Sequence, residues 1–304
     1  IITDSALSSA FQTLADWKTR TGIPAVVRTI SWIETNYPGG CDTQEQIRLF
    51  LQDAYESWGT TYVLLGGDTD VVPARFGYTT YYAGESIPTD LYYSDLDGNW
   101  NGDGDDVFGE GYIGGASAGD SLDLMPDVFV GRAPVNNIVE VDTFLDKCEA
   151  YEKTPVGYFT DRNLYLGEVL FPYDWEEGSA YSLDGATDII EPALAYVPGD
   201  IHNARLYANR DEFPETTPLN KTTSVDSINA GYHIVSHVGH ANRDLLRVSM
   251  NNYLTISDIA AFTNGQSKAS FFWLLNCSAS AIDRDCVAET AMNNDNGGSI
   301  ATFA

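Results

Sequence analysis

The sequence predicts an α/β protein built as two successive subdomains, each with a mainly parallel sheet flanked by helices. Three observations lead there. Amphipathic stretches of helical period alternate with short apolar runs along most of the chain. Such alternation is the pattern of strands joined by helical crossovers. The pattern is interrupted at 151–161, where Pro155, Gly157 and several charges intervene. That break sets the expected domains at 1–155 and 156–304.

Taken in order, Phe11, Leu14, Ala15 and Trp17 mark a first helix, closed by Gly22. Pro24 to Val27 reads as a short strand. Asp42 caps the next helix, with Glu45 as its capping-box partner. The buried stripe of that helix reads Ile47, Phe50, Leu51, Ala54, Tyr55 and Trp58. Tyr62 to Leu65 is a buried strand ending at Gly66, Gly67 and Asp68. Val128 to Val130 is another strand, and Ile138, Val141, Leu145, Cys148 and Tyr151 line a helix. In the second half, Asn163–Leu166, Tyr232–Val238, Ser270–Leu275 and Ser299–Phe303 read as strands. Gly185–Leu194, Thr255–Phe262 and Asp285–Asn293 read as helices. Residues 76–123 are rich in Gly, Asp and Tyr without a period; so long a loop points to a function or a bound ion.

Composition narrows the function. The chain has 304 residues, with 16 Lys+Arg against 44 Asp+Glu, a net charge of −28. Phosphate would be repelled, so nucleic acid is not an expected partner. With 43% hydrophobic residues the chain can build a core. No apolar run reaches the roughly 18–20 residues of a membrane span. The opening IITDSALSSAFQ has neither the basic nor the apolar part of a secretory leader, so any leader is expected to have been removed. Four cysteines, Cys41, Cys148, Cys277 and Cys286, form no C-x-x-C and no disulfide framework. Cys148 and Cys286 fall in apolar helical patterns and read as free core thiols.

Three of four histidines crowd into HIVSHVGH. His233 and His237 share one face of a strand, and His233 reads as buried within it. His240 lies past Gly239, in the loop after the strand, where open α/β sheets bind ligands. The strand SFFWLLN ends at Cys277, followed by Ser278, Ala279 and Ser280, which permit a tight turn. Cys277 and His240 therefore leave the same sheet edge, as a thiolate and its imidazole must. Glu168 follows the strand NLYLG and falls in the same layer, placed to orient or polarise His240. The competing reading of each is structural: a packed thiol, a buried histidine.

At these residues the sequence resembles the gingipain-type cysteine peptidases. The resemblance rests on YHIVSHVGHANRD and FFWLLNCSASAIDRDCVAE, and upstream on LADWKTRTGIPAVV, TYVLLGGDTDVVP, PDVFVGRAPV and DKCEAYEK. It implies a caspase-like three-layer sandwich with the dyad in the second subdomain. It implies Cys277 as nucleophile, His240 as catalytic imidazole and Glu168 as the accompanying acid. The backbone N–H groups of Cys277 and Ala241 would form the oxyanion hole; Ala241 stands where the family usually has Gly. The family also implies a secreted or cell-surface endopeptidase acting on proteins or peptides. Its catalytic domains continue past the strand that resembles SIATFA, so a second chain or domain is expected to complete the pocket. A pocket carboxylate selects a basic residue in this family. Asp184 is the positional match, which gives cleavage after Arg, with Lys second. The alternative for Asp184 is a helix cap.

The run DLDGNWNGDGDD offers Asp95, Asp97, Asn99, Asn101, Asp103 and Asp105 as oxygen ligands, and structural calcium is expected there. Counted from Asp97, the helix–loop–helix calcium motif fails: its twelfth residue is Phe108, and Glu110 comes two residues late. No organic cofactor is expected. Three other functions stay open. One is a transpeptidase of the same fold. Another is a metal-dependent hydrolase using His237-x-x-His240 with Asp244 or Glu168. The last is a non-catalytic binding scaffold.

Overall fold

A computed structural model describes residues 1–78, 86–110, 119–122 and 124–304. Part of the aperiodic stretch 76–123 therefore lies outside the described residues. The chain divides into two compact units, Ile1–Asp142 and Thr143–Ala304.

The first unit holds a four-stranded sheet in the order Arg28–Thr29, Ile2–Thr3, Tyr62–Gly66, Phe129–Ala133, with every pair parallel. The strand expected at Pro24–Val27 pairs later, at Arg28–Thr29. Proline has no N–H to give a ladder, which disfavours pairing at Pro24. Helix Thr43–Trp58 buries Ile47, Phe50, Leu51 and Ala54. Tyr55 and Trp58, expected in that stripe, are exposed. Trp58 instead carries the Arg28 guanidinium over its ring, a contact that works at a wet surface. Asp42 caps the helix by accepting the Glu45 N–H at 2.8 Å. The Glu45 carboxylate reaches back to the Cys41 N–H, one residue before the expected position. Asp42 also holds the buried Arg75 through two bonds of 2.7 and 2.8 Å.

The second unit holds six parallel strands in the order Thr217–Pro218, His202–Tyr207, Arg162–Gly167, Ile234–Val238, Ser270–Leu275, Ser299–Phe303. Its core gathers Leu164, Leu166, Val235, Phe272, Leu274 and Val287, among others. Strand His202–Tyr207 and helix Lys221–Ala230 are additional to the expected elements. The strand HNARLY has polar residues over its first half, and half of the helix is Thr, Ser and Asn, so neither announces an apolar period.

The division between the two compact units falls inside helix Ile138–Lys153, after Asp142. Lys147, on that helix, is fully buried, and its ammonium donates to the carbonyls of Ala291, Met292 and Ser299. These bonds tie the second half of the helix into the second unit. The break at 151–161 coincides with the end of this helix.

Candidate active site

The strand order of the second unit reverses beside Arg162–Gly167. From there the chain winds outward through His202–Tyr207 to Thr217–Pro218. It then returns to the other side for Ile234–Val238, Ser270–Leu275 and Ser299–Phe303. Open parallel sheets bind ligands beyond their carboxyl ends at such a reversal. Three expected residues follow three adjacent strands there. Gly167 pairs with Val238, and Val238 with Leu275. Glu168 comes one residue after its pair, and His240 and Cys277 come two residues after theirs.

Cys277 is an exposed free thiol, as is Cys41; Cys286 is buried and Cys148 half-buried, and neither forms a disulfide. Directly after Cys277, Ser278 adopts the left-handed conformation at φ 57°. A side chain tolerates that region poorly, and such strain gathers where a loop must aim a functional group. The turn is pinned by the Ala281 N–H on the Ser278 carbonyl and the Ala288 N–H on the Ala279 carbonyl. Among the described residues no protein acceptor meets the Cys277 N–H.

His240 is held from several sides. Its Nε2 lies 2.8 Å from the Leu170 carbonyl, which can only accept, so Nε2 carries the proton and Nδ1 is the free base. Phe171 meets the ring edge-on at 5.7 Å, and Tyr173 lies 4.9 Å from it. The His240 N–H donates to Glu168 Oε2 at 2.8 Å. Glu168 therefore orients His240 through its backbone and makes no hydrogen bond to the imidazole. Its other oxygen takes the Arg247 Nε. Burial raises the Glu168 carboxyl to about 7, a shift that the His240 N–H and Arg247 offset only in part.

His237, rather than His233, is the buried histidine. His233 sits one residue before the strand, half-buried, with its Nε2 2.6 Å from the Tyr151 hydroxyl. His237 is fully buried. Its Nε2 donates to the Arg247 carbonyl at 2.8 Å, and its Nδ1 accepts from the Asn276 amide at 3.0 Å. Burial drives its pKa down to about 4. With both nitrogens engaged, His237 has no lone pair left for a metal, which removes the basis of the His237-x-x-His240 reading.

Asp184 is fully buried, and both carboxylate oxygens are engaged. They accept from the Ala186 N–H at 2.9 Å, and from the Thr187 hydroxyl and the Asn209 amide, each at 3.0 Å. Of its two expected roles, the structure gives it the cap of the turn that opens helix Gly185–Leu194. A cavity of about 370 Å³ beside Glu168 is lined instead by Trp175, Glu176, Glu177, Tyr207 and Arg247, among others.

The expected calcium ligands separate into two groups. Asp95, Asp97 and Asp127 bring carboxylate oxygens within 4.8 Å of one another, as do Asp103, Asp105 and Glu110. Asp95 is buried and already accepts from the Gly98 N–H and the Trp100 indole. The second group shows what the count from Asp97 missed. Started at Asn99, the loop reads N-x-N-x-D-G with Glu110 in the twelfth place. Gly104, at the sharp sixth position, has φ +76°. The Glu110 carboxyl is raised by lost hydration and by Asp105, Asp103 and Asp120. Oxygen donors in this spacing fit calcium.

The chain matches the family model described as peptidase family C25 over residues 1–304. No curated protein sequence matches it. Among solved structures, the chain resembles the Arg specific cysteine proteinase gingipain R (RgpB) with TM-score 0.71 and 19% identity, over 100% of this chain and 61% of that one. It is similar to the complex of RgpB pro- and mature domains from Porphyromonas gingivalis, with TM-score 0.71 and 20% identity, over 100% and 62%. A structure described as a protease gives TM-score 0.67 and 19% identity, over 99% and 57%. The chain thus spans about three-fifths of the length of these structures. At such identities the likeness shows the fold, a caspase-like sandwich of parallel sheets flanked by helices.

Proposed function

The chain belongs to peptidase family C25, and we propose that it is a cysteine endopeptidase working through a Cys277–His240 dyad. One observation carries the reading: the exposed Cys277 and the oriented His240 follow adjacent strands, each two residues beyond the Val238–Leu275 pair. In this reading His240 Nδ1 takes the thiol proton, and Cys277 Sγ adds to the scissile carbonyl. The N–H groups of Cys277 and Ala241 stabilise the oxyanion. His240 then protonates the leaving amine, and water releases the acyl group from sulfur. The test is peptide cleavage by Cys277→Ala and His240→Asn. Loss on the order of a thousandfold is expected of each; full activity in either would sink the dyad. Adding a competing amine separates hydrolysis from transpeptidation, since only transfer yields the amide product.

A basic residue before the cut bond, Arg over Lys, belongs to the same proposal. It is supported by the description of RgpB as Arg specific, and by Glu176 and Glu177 on the cavity beside Glu168. A fluorogenic panel varying only that residue decides it: preference for an apolar or acidic residue would overturn the proposal. A structural calcium ion on the Asn99–Glu110 loop is proposed from its donor set. Secretion, or display on the cell surface, rests on the family likeness. Fractionation of the producing cells tests it, and recovery wholly in the cytoplasm would overturn it.

A further inference from the structure

The proposed dyad uses one of the two histidines in HVGH, yet the other is the more deeply buried. A strand interior would accept leucine at His237 with no polar group to desolvate. His237 is instead the middle of a continuous chain of hydrogen bonds. The His240 N–H donates to Glu168 Oε2, and the Arg247 Nε donates to Glu168 Oε1. The Arg247 backbone N–H returns to the His240 carbonyl at 2.9 Å. The Arg247 carbonyl accepts from His237 Nε2, and His237 Nδ1 accepts from the amide of Asn276, the residue before Cys277.

We propose that this buried chain, Glu168–Arg247–His237–Asn276, keeps the His240 loop and the Cys277 loop in register, with Arg247 and His237 as positioning residues. The inference rests on the dyad reading. Three details support it. Glu168, Arg247 and His237 are 1%, 3% and 0% exposed, so water does not compete for their bonds. The Asn276 Oδ1 is buried without a partner, so the His237 bond is what fixes the orientation of that amide. Gly239, between the two histidines, leaves no room for a side chain: a Cβ there would meet Glu168 Oε2 at 2.8 Å and His237 Cε1 at 2.9 Å. The chain therefore closes around the backbone that carries His240. Arg247 extends it further, with its Nη1 on the Tyr173 carbonyl at 2.8 Å and its guanidinium 4.1 Å from the Tyr173 ring, which in turn flanks the imidazole.

The experiment compares Asn276→Ala, His237→Leu and His237→Gln with the parent chain. Glutamine keeps one donor and one acceptor; leucine keeps neither. Three quantities are read: kcat and KM on a fluorogenic peptide with Arg before the cut bond, the pH profile of Cys277 alkylation by iodoacetamide followed by mass, and the thermal midpoint. Small misplacements of reacting groups cost up to about a hundredfold in rate. Asn276→Ala and His237→Leu should lose about tenfold to a hundredfold in kcat with KM little changed. Their alkylation midpoint should rise, because the thiolate loses its aligned imidazole, and His237→Gln should recover most of both. If Asn276→Ala keeps the parental kcat and alkylation profile, the proposal falls. It falls equally if a folded His237→Gln is as impaired as complete loss of the ring. Should His237→Leu fail to fold, these two variants decide the matter. Activity retained by Cys277→Ala would defeat the dyad reading itself, a separate result.

Discussion

His240 and Cys277 stand at equivalent places on adjacent strands, each two residues past the paired Val238 and Leu275. Parallel neighbours in register deliver their following residues to one edge at one height. The strand-end loops then need to aim only two side chains. Ser278 in its left-handed conformation and the Nε2 bond of His240 to Leu170 do the aiming. The same edge carries Glu168, one residue past the Gly167–Val238 pair.

Removing the charge of Glu168 should destabilise the second unit strongly. Glu168→Gln leaves Arg247 buried without its counter-ion, which costs about 3–5 kcal/mol for a buried pair. The double variant Glu168→Gln/Arg247→Met removes both charges and should recover much of that loss. Urea unfolding of the two variants measures it. A single variant within 1 kcal/mol of the parent, on the order of an exposed pair, would mean the charges are not coupled.

Stability should fall in acid partly because of His237. Its folded pKa is about 4, below the roughly 6.5 of an unfolded histidine. Between those values the unfolded chain holds a proton that the folded chain does not, so stability rises with pH across that window. The contribution is complete above pH ~6.5 and is lost as the pH falls toward 4, on the order of 3 kcal/mol in all. His237→Gln should flatten this part of the profile in urea titrations between these limits. An unchanged slope would show that other groups set it.

Calcium should stabilise the first unit through the Asn99–Glu110 loop. Glu110→Gln removes a ligand and one of the crowded carboxylates. The parent should melt at a higher temperature in millimolar calcium than in chelator, and the variant should lose most of that difference. Magnesium should substitute poorly, because it demands tighter octahedral geometry. A parental melting point indifferent to calcium would leave the loop as a solvated turn.

Asp42 should be among the costlier single carboxylates of the first unit. Asp42→Ala removes a helix cap worth about 1 kcal/mol and strands the buried Arg75, worth several more. Unfolding should move by about 3 kcal/mol or more. A shift no larger than the cap alone would show that Arg75 finds another partner.

Much of the site was legible in the sequence because its signals are local. The apolar runs before His240 and Cys277 are long enough to be strands, and both residues lie just past their ends. Ser270–Leu275 and Ser299–Phe303 fall where the sequence placed them. Strand His202–Tyr207 was hidden by its polar first half, since periodicity is the signal and this segment has little. The spacing N-x-N-x-D-G with Glu110 in twelfth place emerges only when the count starts at Asn99 rather than Asp97.

By itself the sequence determined the alternation of helices and strands, the family, and the two residues at the strand ends. These follow from chemistry repeated every few residues along one segment. The tertiary structure alone decided that Asp184 caps a helix, that the two compact units divide inside a helix, and that Glu168 serves the His240 backbone. It also decided that Arg247 meets Glu168 across 79 residues of chain and Asn276 meets His237 across 39. Such pairings depend on strand order and register, set by how whole faces pack together, and no spacing within a single segment records them.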